Sequence, residues 1–202
     1  MKDTVDSKKV VGNFVGKYIA FAIIIGGISF VLENVIPQLV GWDFRSEQAS
    51  TLVIYQSVLF VISTILTITL AVNASIKKVK ISNEEEAKKI AKPIKTILIM
   101  VALILMIINL VYCYQIEQSG YKDVENDYPA VDGIQDDYRD TCISYEKSAV
   151  HLVSNIYMAT KEIATVLTYG YAVIYVEKMI EASVVKKSSK KSTKKAEKES
   201  EE

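Results

Sequence analysis

Three ionisable side chains, Glu33, Lys161 and Glu162, lie inside otherwise apolar stretches of the chain. A charge in apolar surroundings is costly unless it is paired, so such residues mark either internal cross-links or a path for a polar solute. At 1.5 Å per helical residue, Glu33 lies about 22 Å along its stretch from Tyr18, and Lys161 lies about 22 Å along its own from Val176. This equal depth predicts a Glu33–Lys161 pair.

Uncharged polar residues extend this pair into a predicted polar layer. Ser63, Thr64 and Asn109 fall at the same depth on neighbouring stretches, to within about one helical turn. The layer therefore consists of Glu33, Ser63, Thr64, Asn109, Lys161 and Glu162. Two roles remain open for it. It could cross-link the helices or receive a partner's helix, or it could line a path for a solute or an ion.

Catalytic and cofactor-binding motifs are missing from the sequence. A single His excludes multi-His metal sites, and there is no Walker A loop, no G-x-S-x-G and no Cys/His zinc pattern. His151 has no nucleophile placed beside it in the sequence and is interpreted as a polar residue of a helix interface. We therefore expect no enzymatic activity, no cofactor and no metal site.

The two cysteines, Cys113 and Cys142, could form one disulfide. Cys113 falls at the outer end of the predicted span 96–116 and Cys142 in the predicted outer loop 117–148, so both lie on the extracytoplasmic side, where disulfides persist. A bridge would close a loop of about 30 residues, which chain-entropy reasoning values at a few kcal/mol. The alternative is two unrelated thiols, one of them facing lipid, and the sequence leaves both open.

Long apolar stretches must position these residues. The chain has 202 residues, half of them apolar, together with 24 basic and 24 acidic residues, so charged and apolar residues must be segregated. Residues 51–76 and 96–116 contain no charge at all. Because roughly 20 helical residues cross an apolar layer about 30 Å thick, each stretch is long enough to span a membrane.

Two further stretches are apolar but interrupted. Residues 18–42 contain Glu33, and the alternative of a cleaved signal peptide is disfavoured because no small-x-small cleavage site follows. Residues 149–180 contain Lys161 and Glu162. They fit a span whose polar face is buried against other helices, with an amphipathic helix at the membrane surface as the alternative.

The distribution of charge predicts the direction of the spans. Residues 77–95 contain seven Lys against three Glu, and residues 1–17 are also basic. Residues 117–148 contain nine acids against three bases. Because Lys and Arg concentrate in short cytoplasmic segments, we expect both termini and 77–95 to be cytoplasmic, with 43–50 and 117–148 outside.

The C-terminal segment, residues 181–202, is of low complexity. From Lys186 onward it contains seven Lys and four Glu and no apolar face, so it is predicted to be disordered. Lysines beside a membrane are attracted to anionic lipid by about 1 kcal/mol each. Nucleic-acid binding is disfavoured, because neither aromatic residues nor Arg interleave with these lysines.

Together these patterns predict an all-α, multi-pass integral membrane protein. Its four transmembrane helices form a bundle with an acidic extracytoplasmic loop and a disordered basic tail. The predicted order is a basic N-terminus, four spans with their connections, and the tail: 1–17, 18–42, 43–50, 51–76, 77–95, 96–116, 117–148, 149–180 and 181–202.

Two functions are compatible with this architecture. The predicted one is a non-enzymatic accessory or assembly subunit that acts through helix–helix contacts and its acidic outer loop. The alternative is a small oligomeric transporter or channel-forming subunit that uses the Glu/Lys polar layer. The expected partners are anionic lipid at the tail and either another protein or further copies of the chain.

Overall fold

The computed structural model describes residues 6–42, 49–76, 79, 81, 83–129 and 136–199. In this part of the chain the regular elements are four α-helices: α1 (Ser7–Val40), α2 (Ala49–Ile76), α3 (Glu84–Asp127) and α4 (Asp136–Glu199). All four are long and apolar enough to cross a membrane. The predicted all-α class and the four candidate spans are therefore confirmed. Most of the predicted loop 43–50 lies outside the described residues.

Local sequence explains where α1 begins and ends. The carboxylate of Asp6 accepts a hydrogen bond from the backbone N–H of Lys8 at 3.1 Å, the arrangement of an N-cap. At the other end Gly41 has a φ of 70°, a left-handed conformation that favours glycine. The N–H of Trp42 then donates to the carbonyl of Pro37 at 2.9 Å, so α1 ends in a Schellman motif.

The third helix is longer than the span predicted for it. Asn83 caps its start by accepting a hydrogen bond from the backbone N–H of Glu86 at 2.9 Å. From there the helix takes in the second half of the predicted loop 77–95 and the first part of the predicted loop 117–148. Charged Lys and Glu side chains have good helix propensity, so a change from apolar to charged residues does not end a helix.

The fourth helix likewise extends beyond residues 149–180. It begins at Asp136, within the predicted outer loop, and it continues to Glu199. Much of the tail that the sequence predicts to be disordered is therefore helical here. Its Lys, Ala and Glu residues are good helix formers, which accounts for the difference.

The contacts along the chain divide it into two compact units. The first unit consists of Met1–Gly27, Ser63–Val101 and Leu167–Glu202, and the second of Ile28–Ile62 and Ala102–Val166. All four helices contribute a segment to each unit.

The first unit has an aliphatic core. Three helices supply buried rows spaced four residues apart, which is the spacing of one helix face. These rows are Ile68, Val72 and Ile76; Ile90, Ile94 and Leu98; and Ala172, Val176 and Ile180. Phe14 of α1 is completely buried, and the hydroxyls of Tyr18 and Tyr169 share a hydrogen bond of 2.7 Å.

The second unit buries more polar groups. Its buried polar residues are Ser29 of α1, Gln56 and Ser57 of α2, and Ser154, Lys161 and Thr165 of α4. Large apolar side chains are instead exposed on all four helices, as with Leu39, Ile54, Ile107 and Ile163. This inversion of the usual pattern of soluble proteins is typical of helices that face lipid or other helices.

Candidate functional site

A buried lysine joins three helices of the second unit. Lys161 is 3% exposed. Its Nζ donates a hydrogen bond to the backbone carbonyl of Gln56 at 3.0 Å and lies 4.0 Å from Oε2 of Glu33. The ammonium also lies 5.2 Å from the ring centre of Phe60 and 5.4 Å from that of Tyr157, where the negative ring faces stabilise a cation. These five residues form what we call the lysine cluster.

The carboxylate of Glu33 is held from within its own helix as well. Ser29, one turn earlier on α1 and therefore on the same face, donates its hydroxyl to Oε1 of Glu33 at 2.9 Å. One carboxylate oxygen thus faces Ser29 and the other faces Lys161. A buried charge pair is tolerated when such additional hydrogen bonds satisfy its remaining lone pairs.

Polar contacts also join α1 to α2. The side-chain Nε2 of Gln56 donates to the backbone carbonyl of Glu33 at 3.1 Å. The hydroxyl of Tyr55 donates to the carbonyl of Leu32 at 3.2 Å. Gln56 therefore contacts both charged members of the lysine cluster, once with its side chain and once with its backbone.

Members of the predicted polar layer belong to both units of the chain. Four of its members belong to the second unit: Glu33, Asn109, Lys161 and Glu162. The other two, Ser63 and Thr64, belong to the first unit. The sequence analysis missed Gln56, Phe60 and Tyr157, although all three contact the lysine ammonium or its partners.

Some buried polar atoms of the second unit have no hydrogen-bond partner. They are Oε1 of Gln56, Nδ2 of Asn109 and both carboxylate oxygens of Glu162. Most buried polar groups in proteins are hydrogen-bonded. Leaving one unsatisfied costs about 1–3 kcal/mol, and more if it is charged.

Beyond the uncharged stretch 96–116, polar contacts continue between α3 and α4. The Nδ1 of His151 lies 2.7 Å from Oε1 of Glu117, and the side-chain amide of Asn155 lies 3.0 Å from Nε2 of His151. This pattern assigns the ring proton to Nδ1, which donates to the carboxylate, while Nε2 accepts from Asn155. Hydrogen bonds from Tyr121 and His151 lower the pKa of Glu117.

Similar contacts follow toward the far ends of these helix segments. Lys147 pairs with Glu125, and the hydroxyl of Tyr128 donates to Glu146 at 2.6 Å. That hydrogen bond is the main reason why the pKa of Tyr128 is raised to about 12. We call this set of contacts the polar seam; it consists of Glu117, Tyr121, Glu125, Tyr128, Glu146, Lys147 and His151.

The helices approach closely along the seam. A Cβ atom added at Gly120 would lie 2.7 Å from Cγ1 of Val150, so only glycine fits there without movement of the neighbour. The part of the predicted acidic loop that the structure describes is thus a packed pair of helices in which Glu117, Glu125 and Glu146 have basic or hydroxyl partners.

Both cysteines are free thiols. Cys113 packs with Val53 and Tyr157 in a small buried cluster. Cys142 precedes Tyr157 on α4 by fifteen residues, which corresponds to about 22 Å along a helix. A disulfide needs Cα atoms within about 7 Å, so the bridge that the sequence left open is not formed in this structure.

Among the described side chains, no group of three or more His, Cys, Asp or Glu could hold a metal ion. Comparisons with family models, with curated proteins and with solved structures gave no match.

Proposed function

We propose that the chain is a multi-pass integral membrane protein with both termini in the cytoplasm, and that it acts as a non-enzymatic accessory or assembly subunit. In this proposal its helices contact the helices of a partner protein. The segment around the polar seam faces outward, and the Lys-rich tail lies against anionic lipid at the inner surface.

The observation that carries the proposal is the contrast between the lysine cluster and the surface. Lys161 has Glu33, a backbone carbonyl and two aromatic rings around it within the chain. The outward side chains of the helices are large and apolar instead. Lys161 therefore needs no partner from outside the chain, and the exposed apolar side chains form a surface suited to lipid and to helix packing.

Purification in a mild detergent tests this role. We expect the tagged full chain to co-purify with a different protein at a fixed stoichiometry, and cross-linking in the membrane before extraction should give the same pair. Leu39→Trp, on the exposed face of α1, should weaken the association without unfolding the chain, whereas Phe14→Trp, at a buried position, should impair folding. A chain that purifies only as a homo-oligomer and passes ions in liposomes would contradict the proposal.

A second candidate function is a small oligomeric transporter or channel-forming subunit. It is favoured by the unpartnered buried atoms of Gln56, Asn109 and Glu162, which are polar groups inside an apolar segment with nothing from the chain bound to them. Intramembrane polar groups of this kind commonly mark a solute path.

Reconstitution of the purified chain in liposomes tests the second candidate. We expect solute or ion flux that Glu162→Gln or Asn109→Leu reduces by at least tenfold, with an unchanged oligomeric state. Ser154→Ala is a control, because Ser154 is also buried on α4 but its hydroxyl donates to the carbonyl of His151 within the helix. Equal flux in all three variants would exclude a path along these residues.

A further inference from the structure

Glu162 on α4 has two buried carboxylate oxygens without a hydrogen-bond partner, and Asn109 on α3 has a buried amide nitrogen in the same condition. An unsatisfied acceptor pair and an unsatisfied donor in one unit are complementary. They can contact each other only if Asn109 and Glu162 lie at the same height along the paired helices α3 and α4.

Contacts between α3 and α4 fix that level. Gly120 lies against Val150, Glu117 bonds to His151 and Cys113 packs on Tyr157. Residue numbers thus fall along α3 as they rise along α4. Asn109 lies one turn before Cys113 on α3. Lys161 lies one turn after Tyr157 on α4, and Glu162 is the next residue. Asn109 is therefore level with Glu162.

The charges around Glu162 leave it without a counterion. Lys161, the neighbour of Glu162 on α4, already pairs with Glu33 of α1 and donates to the carbonyl of Gln56. The segment of α2 in this unit has no charged residue.

The remaining titratable groups facing this region are Tyr157 and His151 of α4 and Tyr112, Cys113 and Glu117 of α3. His151 is bonded to Glu117. The positive charge of Lys161 and the negative charge of Glu33 cancel, so an ionised Glu162 would give this segment a net negative charge. An isolated carboxylate in apolar surroundings takes up a proton instead of remaining charged.

We propose that Glu162 and Asn109 form an intramembrane proton-binding site. A proton from water adds to one carboxylate oxygen of Glu162, and the resulting acid O–H donates to Oδ1 of Asn109. The amide Nδ2 of Asn109 then donates to the other carboxyl oxygen. These two bonds satisfy the three atoms that are otherwise without a partner.

The proton is favoured over a basic residue of a partner's helix. A proton cancels the charge of Glu162 without bringing further polar groups into the apolar segment, whereas an ammonium or guanidinium group would add several donors that each need a partner. The site depends on the helices spanning the membrane, but it requires neither the accessory role nor transport. Failure of either function in its own assay would leave the proton site unaffected.

Chemical labelling tests the site in the full chain, purified in lipid nanodiscs. Dicyclohexylcarbodiimide reacts with protonated carboxyls in apolar surroundings: the acid proton moves to a carbodiimide nitrogen while the carboxyl oxygen bonds to the central carbon. Rearrangement gives a stable N-acylurea, and nothing is released. We expect mass spectrometry to locate this adduct on Glu162 near neutral pH. Its rate should fall roughly tenfold per pH unit once the pH exceeds the midpoint of the titration.

Variants provide the controls. Glu162→Gln should remove the adduct, and the wild type should carry none on Glu33, because Glu33 is paired with Lys161. Asn109→Leu should move the labelling midpoint to lower pH, because the acid loses its hydrogen-bond partner. An adduct yield on Glu162 that does not change with pH, or an adduct on Glu33 instead, would overturn the proposal.

Infrared spectroscopy gives an answer that does not depend on access of the reagent. The spectrum of the wild type minus that of Glu162→Gln should contain one protonated-carboxyl band near neutral pH, and Asn109→Leu should shift that band to higher frequency. Glu162→Gln should also keep the thermal stability of the wild type, since an amide resembles the neutral acid. A carboxylate band in place of the acid band would show that Glu162 is charged and would refute the proposal.

Discussion

Gln56 on α2 donates its side-chain amide to the backbone carbonyl of Glu33 on α1, with 3.1 Å between nitrogen and oxygen. Pro37 lies four residues after Glu33, inside α1. A proline has no N–H, so it cannot give that carbonyl its helical hydrogen bond. Gln56 supplies from another helix the bond that Pro37 removes, and its own carbonyl then accepts from Lys161.

This relationship predicts that the importance of Gln56 depends on Pro37. Gln56→Leu should destabilise the protein by about 1 kcal/mol or more, because the partly buried carbonyl of Glu33 loses its donor. In a Pro37→Ala background the alanine N–H restores the helical bond, so Gln56→Leu should cost less than half as much. Unfolding of all four forms in detergent measures this coupling. Equal costs in the two backgrounds would show that the proline has no part in it.

The Glu33–Lys161 pair predicts that removing both charges is better than removing one. Glu33→Gln alone should cost about 3–5 kcal/mol, because it leaves the buried ammonium of Lys161 without its partner. Lys161→Met should cost less, because Glu33 is 20% exposed and keeps its hydrogen bond from Ser29. The double variant should recover most of the folded yield and of the thermal stability. If the double variant is no better than the worse single variant, the two side chains do not stabilise each other.

The sequence predicts the helices better than their ends. Uncharged stretches such as 51–76 identify helical segments because nothing else satisfies the backbone in an apolar layer. The change to charged residues after Ile116 predicts the end of the membrane span, yet α3 continues to Asp127. Contacts such as Lys147–Glu125 and Tyr128–Glu146 support this continuation. They join residues distant in sequence, so local patterns cannot reveal them.

The sequence also predicts only part of the lysine cluster. Counting the rise per residue predicts the pairing of Glu33 with Lys161, because both depths are measured along regular helices. Gln56 is missed because an uncharged polar residue in an apolar stretch has many interpretations. It lies seven residues before Ser63, which the depth estimate selected on α2. The available signal was Pro37, since a proline four residues after Glu33 requires a donor from elsewhere.

Phe14 provides a test of the first unit. The sequence analysis assigns it to a basic N-terminal segment, but in the structure it is completely buried, whereas Phe30 on the same helix is 67% exposed. Phe14→Ala should cost about 3–5 kcal/mol, as for large core side chains. Phe30→Ala should have a much smaller effect. Thermal unfolding of both variants compares the positions, and equal losses would place Phe14 outside the core.

The polar seam predicts a loss of stability in acid. The pKa of Glu117 is below its usual value of 4.5 in the folded protein, chiefly because Tyr121 and His151 donate hydrogen bonds to it. A lowered folded pKa means that the carboxylate contributes stability above its unfolded pKa, and that this contribution is lost as the pH falls through the folded pKa.

Wild type should therefore have a higher Tm than Glu117→Gln at neutral pH, and the difference should shrink as the pH falls below about 4.5. Asp123→Asn, at an exposed position on α3, is the control and should change little. A difference in Tm that stays constant down to acidic pH would mean that the carboxylate charge of Glu117 is not what stabilises the seam.

The two native thiols can report the proposed orientation without an engineered probe. Cys142 is only partly buried and belongs to the segment proposed to be outside, whereas Cys113 is 4% exposed. A membrane-impermeant maleimide added to intact cells should therefore label the chain once, and Cys142→Ser should abolish the label. Labelling that requires permeabilised cells would reverse the orientation. Labelling that requires a reductant would show that Cys142 is oxidised in the cell, in contrast to the free thiol of this structure.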